Sequence, residues 1–157
     1  FLSILIGLRY LNIFEIPSKH DLRVIEIYTK SGYVPAGATS RALLSQLSSK
    51  ELKIAMLNMD FNSKTGSGNL TPEILKKQIG EVRRKHYSIT TGERIKGCTC
   101  ISSPVHNYVI PVALSVVGPE TRISPRIREI VRELRSSAEF LSNKISETFM
   151  QVNGKPT

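Results

Sequence analysis

The sequence has few of the features that mark membrane or secreted proteins. No run approaches the roughly 18 consecutive apolar residues of a spanning helix, and residues 1–14 have neither the basic leader nor the small-residue cleavage site of a signal peptide. The two cysteines, Cys98 and Cys100, are too few for a disulfide framework. With one residue between them, both lie on one side of a strand, where geometry disfavours a mutual bridge. We therefore expect a protein of a reducing compartment, the cytoplasm.

Several patterns of metal, nucleotide and hydrolytic sites are also missing. The three histidines are scattered, with no pair at i, i+4 that would indicate a metal or hydrolytic site. Gly66 and Gly68 lie between two predicted helices and match no phosphate-binding loop, which needs a strand before the helix. No second cysteine pair is present to complete a zinc site with Cys98 and Cys100. We expect no metal, no cofactor and no enzymatic activity.

The net charge is the most unusual part of the composition. In a chain of 157 residues that is 40% apolar and 22% charged, as in one ordinary globular domain, the formal charge is +9. Such an excess suits contact with nucleic acid or acidic ligands. Much of it falls in one segment, on Arg126, Arg128, Arg132 and Arg135 beside Glu129 and Glu133. Because the chain has no Trp and these residues are not interleaved with aromatics, we interpret the segment as a solvated helix face. Direct nucleic-acid binding through residues 126–135 is the alternative.

The first part of the chain reads as strands followed by helices. The hydrophobic pattern predicts three strands, at residues 1–7, 9–16 and 22–28. A break at Gly7 makes the first two an antiparallel hairpin, and we expect the third to be buried on both faces. Two helices follow at residues 38–47 and 49–59, the first capped by the hydroxyls of Thr39 and Ser40. A loop rich in glycine, serine and asparagine comes next.

The second part contains a helix, three strands and a long last helix. Thr71, Pro72 and Glu73 supply a hydroxyl cap, a first-turn proline and a first-turn acid, so a helix should run from there to Lys85. Its inward residues should be Ile74, Leu75, Ile79 and Val82. Strands are predicted at residues 87–90, 97–103 and 109–117. Ser124 and Pro125 cap the last helix, and residues 151–157 should form a flexible tail. This order predicts an α+β domain with one mixed or antiparallel sheet.

The segment before the first helix is a candidate ligand site. Residues 36–40 are small, and small residues let the free backbone N–H groups of a helix start approach a carboxylate or phosphate. An ordinary helix cap accounts for the same pattern. Spacing alone leaves both interpretations open.

Taken in order, these segments resemble the effector-binding domain of IclR-type bacterial and archaeal transcription regulators. After Gly32 and Pro35, the run ATSRALLSQLSSKEL resembles two short helices of that family, and LTPEILKKQIGEVRRKHYSIT resembles its third helix and the entry into the next strand. In GERIKGCTCISSPVHNYVIPVALSVVGPETRI the positions that match the family are Glu93, Gly97, Cys100, Pro104, Val105, Ala113, Leu114, Ser115, Gly118 and Pro119. The resemblance covers nearly the whole chain.

The resemblance implies a fold, a ligand and partners. The fold would be GAF-like or profilin-like: a curved, mainly antiparallel sheet flanked by helices, with a long C-terminal helix, in an effector-binding domain at residues 1–150. Its pocket would bind a small, anionic metabolite such as an organic acid. An upstream winged helix-turn-helix domain, absent from this fragment, would bind operator DNA under control of that effector. Members of the family assemble as homodimers or homotetramers, and no membrane is involved.

The resemblance also implies which residues form the pocket. The carboxylate of the ligand would meet backbone N–H groups around Ala38 and Thr39, while two cysteines and a serine line the cavity from adjacent strands. Thr90 stands where some members have an acidic pocket residue, and Val117 where some have a second hydroxyl, so the pocket is less polar than in hydroxy-acid or keto-acid sensors. The expected effector-binding residues are Ala38, Thr39, Thr90, Cys98, Cys100, Ser115 and Val117.

An enzyme on the same fold is the alternative. Some proteins of GAF-like architecture are thiol-dependent reductases of small sulfoxides, and Cys98 or Cys100 would be the nucleophile here. Such chemistry needs a thiol with a lowered pKa. Buried strand cysteines more often act as small hydrophobic residues, which favours the sensor.

Overall fold

The sheet combines three strands from the N-terminal part of the chain with three strands from residues 88–119. The structure, a computed structural model, describes residues 1–24, 32–33, 36–61 and 70–153. Six strands form one sheet in the order β3-β2-β1-β6-β5-β4, and every neighbouring pair is antiparallel. They are β1 (Leu2–Ile6), β2 (Arg9–Phe14), β3 (Gly32–Tyr33), β4 (Ser88–Thr91), β5 (Cys98–Val105) and β6 (Val112–Pro119). The predicted hairpin of the first two strands is confirmed.

Helices cover both faces of this sheet. They are α1 (Ala38–Leu44), α2 (Ser49–Leu57), α3 (Pro72–Lys85), α4 (Glu120–Ile123) and α5 (Ile127–Asn153), with a 3-10 turn at Ser124–Arg126. α1 packs on β4, β5 and β6, and α5 packs on β5 and β6. The predicted fold class is confirmed: an antiparallel sheet flanked by helices, with a long C-terminal helix. No helix within the described ranges is both long and apolar enough to cross a bilayer.

Successive residues of β6 point to opposite faces and join different cores. Ala113 packs with Leu43 and Leu75 in the core beneath α1, α2 and α3. Val112 and Leu114 pack in the clusters formed with α5. This period of two is the pleat of a strand. Because of this alternation, every second residue of β6 faces α1.

The start and end of α3 match the sequence prediction. The Thr71 hydroxyl accepts a hydrogen bond from the Ile74 N–H at 3.3 Å, and Pro72 occupies the first turn, where its missing N–H costs nothing. The helix ends at Lys85, and His86 follows in the left-handed region at φ 62°. Leu75, Ile79 and Val82 are buried as expected, whereas Ile74 is 43% exposed, so its predicted inward position is wrong.

The predicted cap of α1 is wrong. Thr39 and Ser40 lie inside the helix and are buried, and the residue that precedes the helix is Gly37, at φ 97°, without a side-chain cap. Only glycine adopts such a φ readily, so the chain turns sharply into the helix at this point. The Thr39 hydroxyl therefore does not cap its own helix and can form hydrogen bonds with residues in the interior of the protein.

The predicted third strand is also wrong where the structure describes it. Residues 21–24 form no strand and Leu22 is 69% exposed, while residues 25–28 lie outside the described residues. The third strand is instead Gly32–Tyr33, where no strand was predicted, and it pairs with β2. Most of the predicted loop at residues 60–69 lies outside the described residues.

In the second half of the chain, the observed boundaries of helices and strands differ from the predicted ones by a few residues. β6 begins at Val112 because Val109, the predicted start, belongs to an exposed turn. A short helix, α4, and the 3-10 turn precede α5 and were not predicted. α5 itself continues to Asn153, beyond the expected end at residue 150, and residues 154–157 lie outside the described part of the chain.

Candidate functional site

A small cavity lies between the start of α1 and one face of strands β4, β5 and β6. Its volume is about 30 Å³. The register places Cys100 opposite Thr90 on one side and opposite Val117 on the other, so these three side chains share a face. The lining residues are Gly37, Ala38, Thr39, Thr90, Glu93, Arg94, Ile95, Cys98, Cys100 and Val117. All expected effector-binding residues except Ser115 are in this lining.

Ser115 belongs to a chain of buried hydroxyls beside the cavity. Its Oγ lies 3.0 Å from Thr39 Oγ1 and 2.8 Å from Ser102 Oγ. Thr39 Oγ1 is also 3.7 Å from Cys100 Sγ. The Thr39 hydroxyl therefore connects a thiol of the cavity wall to the serines of the sheet.

The backbone at the start of α1 already has internal partners. The Ala38 N–H donates to Thr90 Oγ1 at 3.2 Å, and the Gly37 N–H donates to Glu93 Oε2 at 3.0 Å. The first of these N–H groups is one that was expected to meet the carboxylate of a ligand. In this structure the Thr90 hydroxyl and the Glu93 carboxylate accept the hydrogen bonds that an anionic ligand would accept from these N–H groups.

An ion pair that sequence reasoning did not identify holds Glu93 in place. Arg41 Nη2 donates to both oxygens of the Glu93 carboxylate, at 2.9 and 3.0 Å, and Arg41 Nε donates to Gln78 Oε1 at 2.9 Å. The Arg41 and Glu93 side chains are only 6% and 22% exposed. Because the two residues are 52 positions apart, only the resemblance marked Glu93, and nothing in the sequence indicated its partner.

Arg94 is a second lining residue that the sequence did not indicate. Its aliphatic stem crosses Gly37, where a Cβ would lie 3.0 Å from Arg94 Cδ. Its guanidinium stacks over the Tyr10 ring, 5.3 Å from the centroid, and donates to the Tyr10 hydroxyl. Loss of solvent lowers the pKa of Arg94, and the nearby Cys100 thiol partly offsets this. The side chain thus brings a positive charge to the edge of the cavity.

The two cysteines form no disulfide with each other, as their spacing predicts. Both face the cavity and both are partly exposed. Among the residues that the structure describes, no three His, Cys, Asp or Glu side chains form a group that would hold a metal ion. The cavity wall offers hydroxyl and thiol groups for hydrogen bonds, together with the Glu93 carboxylate and the Arg94 guanidinium.

Two larger grooves differ from the cavity in character. One, of about 630 Å³, runs between α5 and the sheet; its apolar walls include Phe14, Leu114 and Leu134, and charged residues such as Arg122 lie along it. The other, of about 440 Å³, is open and includes Arg128 and Arg135. The first groove is also lined by Ser115 and Val117, two of the expected effector-binding residues, but neither groove is lined by a cysteine. We therefore take the smaller cavity as the candidate site despite its volume.

The basic segment at residues 126–135, which spans the end of the 3-10 turn and the first part of α5, is solvated, as interpreted from the sequence. Arg126 Nη2 pairs with Glu129 at 2.7 Å and Arg132 Nη2 with Glu133 at 2.9 Å. All four side chains are roughly half exposed or more. Exposed pairs of this kind neutralise part of the positive charge on the helix.

Comparison with known sequences identifies the family. The model described as "Bacterial transcriptional regulator IclR C-terminal" matches residues 1–143. The chain is 33% identical over 98 residues to the HTH-type transcriptional repressor AllR of Klebsiella pneumoniae, covering 57% of this chain and 34% of that protein. It is 29% identical to the acetate operon repressor of Salmonella typhimurium, covering 60% and 36%. The chain thus spans about a third of these relatives, which are named as regulators and give no support to the reductase alternative.

Comparison with solved structures shows the same fold. The IclR protein of Thermotoga maritima superposes with a TM-score of 0.81 at 21% identity, over 92% of this chain and 60% of that one. An IclR homologue from Microbacterium hydrocarbonoxydans, complexed with 4-hydroxybenzoate, superposes with a TM-score of 0.71 at 24% identity, over 91% and 60%.

Proposed function

Because this chain belongs to the IclR C-terminal family of bacterial transcriptional regulators, we propose that it binds a small, anionic metabolite and thereby modulates operator binding by an upstream winged helix-turn-helix domain. Its family consists of regulators, so the expectation that it is not an enzyme is confirmed.

The observation that carries this proposal is the composition of the cavity wall. Thr39, Thr90 and Cys100 approach one another from α1, β4 and β5, and their polar atoms lie within hydrogen-bonding distance of neighbours around a mainly apolar space. A few convergent polar groups in an apolar cavity are typical of small-molecule sites. The lining supports Ala38, Thr39, Thr90, Cys98, Cys100 and Val117 as ligand contacts, with Ser115 acting through Thr39.

The size of the cavity implies that a ligand changes the protein. A volume of about 30 Å³ is far below the roughly 300–1,000 Å³ of ordinary small-molecule pockets. A metabolite of several heavy atoms therefore requires an expanded wall, and it must favour that state to shift any equilibrium. The loop between β4 and β5 contributes Glu93, Arg94 and Ile95 to the wall and has positive-φ glycines at both ends, Gly92 (φ 70°) and Gly97 (φ 73°). We propose that this loop moves.

Several partners follow from the same proposal. The bound state would alter the arrangement of attached DNA-binding domains in a homodimer or homotetramer. Operator DNA would be contacted by the upstream domain, and the protein would act in the cytoplasm. The 4-hydroxybenzoate complex of the Microbacterium homologue makes small aromatic acids a class to test beside aliphatic ones.

A thermal-shift screen of this chain tests the proposal. The panel would contain mono- and dicarboxylates, keto acids, sugar acids and hydroxybenzoates. A ligand at about a hundred times its dissociation constant should stabilise the folded state by roughly 2.7 kcal/mol. For a domain of this size, this raises Tm by several degrees.

Two adjacent valines provide a matched pair of variants. Val117 faces the cavity, whereas Val116 packs toward α5. Val117→Phe should abolish the shift produced by a hit, and Val116→Phe should retain it, provided that both variants still melt cooperatively. A hit that persists in Val117→Phe would place the ligand elsewhere, and a panel without any hit would contradict the proposal.

A further inference from the structure

The side of α5 that lies beside the start of β4 is exposed and basic. The open groove of about 440 Å³ runs along it, and its polar lining consists of Tyr87, Arg128, Arg132, Arg135, Ser136 and Glu139. We infer that this basic groove is a docking surface for the phosphate backbone of DNA, which it contacts without regard to base sequence. The inference rests on the proposed function, which brings the chain next to operator DNA, and adds a second contact to that of the upstream domain.

The three arginines follow one side of the helix. Arg128, Arg132 and Arg135 are exposed and are four and three residues apart, the spacing at which side chains of an α-helix are neighbours on its surface. At about 1.5 Å per residue they cover about 10 Å along the helix axis. One DNA strand presents a phosphate about every 3.4 Å of its own axis. A row of this length can therefore contact more than one phosphate.

Charge is segregated between the two sides of α5 and the turn before it. On the side toward the apolar groove, Arg126 pairs with Glu129 at 2.7 Å, and both residues line that groove. In the basic groove, Arg128 and Arg135 form no ion pair with any residue that the structure describes. Glu139 is the one acidic residue in the described lining of this groove. The basic groove therefore has an excess of positive charge that the protein itself does not compensate.

The third arginine is held only by an exposed pair. Arg132 Nη2 lies 2.9 Å from Glu133, and the two side chains are 75% and 67% exposed. Exposed ion pairs contribute little free energy, so a phosphate can replace this carboxylate at low cost.

The positive surface continues at the end of α3. This helix ends with the exposed residues Arg83, Arg84 and Lys85, and Tyr87 follows two residues later. Lys85 pairs with Glu81 at 3.5 Å, whereas Arg83 donates to backbone carbonyls, which carry no net charge. The Cα atoms of Arg84 and Tyr87 are at most about 11 Å apart. β4, which starts after Tyr87, is the last strand in the described sheet, so none of the described strands covers this edge.

A DNA backbone fits the basic groove better than an acidic protein does. Protein interfaces centre on buried apolar and aromatic side chains, whereas the exposed lining residues of this groove are three arginines, a serine and a glutamate. Arginine matches phosphate through two parallel hydrogen bonds. Under the proposed function, DNA is also the polyanion that is held next to the chain.

Fluorescence anisotropy of a short labelled duplex of arbitrary sequence, titrated with this chain, tests the inference. The affinity is measured over a range of salt concentrations, because each phosphate contact releases counterions and adds about 0.9 to the slope of log K against log salt concentration. The wild-type chain should bind the duplex at low salt, and its affinity should fall steeply as salt is added.

Matched variants locate the contact. Arg128→Gln/Arg135→Gln should reduce the slope by about 2 and weaken binding at low salt about 10-fold or more. The control, Lys50→Gln/Lys53→Gln, removes the same charge from exposed positions of α2, which packs on the other face of the sheet, and should keep the wild-type slope. Glu139→Gln removes the acidic residue of the groove and should tighten binding. A cooperative melting curve of each variant establishes that it is folded.

The outcomes separate this inference from the proposed function. An equal fall in slope in both double variants would overturn the inference, because binding would then follow net charge instead of the groove. A wild-type chain that does not bind the duplex at low salt would also overturn it, and so would poly-L-glutamate that displaces the duplex at a lower charge concentration than unlabelled DNA, which would assign the groove to an acidic protein. A metabolite hit without DNA binding would leave the sensor function standing and remove only the basic groove. DNA binding without any metabolite hit would retain the groove and contradict the sensor function.

Discussion

The hydroxyl of Thr39, in the first turn of α1, lies 3.0 Å from the hydroxyl of Ser115, in the middle of β6. This hydrogen bond joins residues 76 positions apart and is buried. It ties the helix that borders the cavity to the sheet beneath it, so the position of α1 depends on a polar contact as well as on apolar packing.

Removal of this contact should destabilise the domain. Ser115→Ala leaves the buried Thr39 hydroxyl without its serine partner, and we expect the free energy of unfolding to fall by about 1–3 kcal/mol. Urea denaturation measures the change. The control is Ser40→Ala on the same helix: the Ser40 hydroxyl is buried without a hydrogen-bond partner among the described residues, so its loss should be neutral or stabilising. Equal destabilisation by both variants would contradict this account.

The Arg41–Glu93 pair should matter far more than the exposed pairs of α5. Glu93→Ala leaves a guanidinium that is 6% exposed without its carboxylate, and we expect a loss of about 3–5 kcal/mol. Glu133→Ala breaks the pair with Arg132, whose side chains are 75% and 67% exposed, and should cost less than about 1 kcal/mol. Chemical denaturation of both variants gives the comparison. The role of the buried pair is refuted by a Glu93→Ala protein as stable as the Glu133→Ala protein.

Two glycines should respond to alanine with opposite signs. At Gly37, φ is 97° and an added Cβ would meet Arg94 at 3.0 Å, so Gly37→Ala should destabilise by more than about 1 kcal/mol. Gly80 lies within α3, is exposed, and has no atom near an added Cβ, so Gly80→Ala should stabilise by roughly 0.5–1 kcal/mol. Melting temperatures of the two variants measure the difference, and a shift of the same sign in both would be unexpected.

Stability should decrease in mild acid because of His106. His106 lies at the surface, where partial loss of solvent lowers its pKa below the ordinary value of 6.5, and the adjacent His86, with ring centroids 6.2 Å apart, lowers it further. Between the folded-state pKa and 6.5 the unfolded chain binds a proton that the folded chain does not, so this stability is complete above pH 6.5 and is lost as pH falls through the folded-state pKa.

Urea midpoints at pH 8 and pH 5 measure this effect. His106→Gln should reduce the difference between the two midpoints. The control substitution is His20→Gln, at a position without a neighbouring histidine ring among the described residues. An identical pH dependence in wild type and His106→Gln would rule out His106 as the cause.

Local signals determined much of the fold. The hydroxyl, proline and acid at the start of α3 act within one helical turn, so their effect can be predicted from neighbours in sequence. The alternation of β5 likewise placed Cys98 and Cys100 on one face before any partner strand was known. The family resemblance supplied the pairing of that face with Thr90 and Val117, which the register of β4, β5 and β6 then brought together.

The wrong predictions concern residues whose structure depends on contacts with segments that are distant in sequence. Thr39 has the composition of a helix cap, but its hydroxyl bonds to Ser115 because Gly37 turns the chain and starts the helix earlier. Leu22 has the pattern of a buried strand, yet no neighbouring strand covers it in the described structure.

The sequence by itself therefore determined the α+β class, the best-capped helix, the shared face of the cysteines and, through its resemblance, the family. Only the tertiary structure decided that Glu93 would bind Arg41 and the Gly37 N–H, and that Arg94 would lie across Gly37 to reach Tyr10. The physical reason is the range of the interactions. Caps and strand alternation act over a few residues, whereas these contacts form between segments 52 to 84 positions apart and exist only after the sheet has assembled.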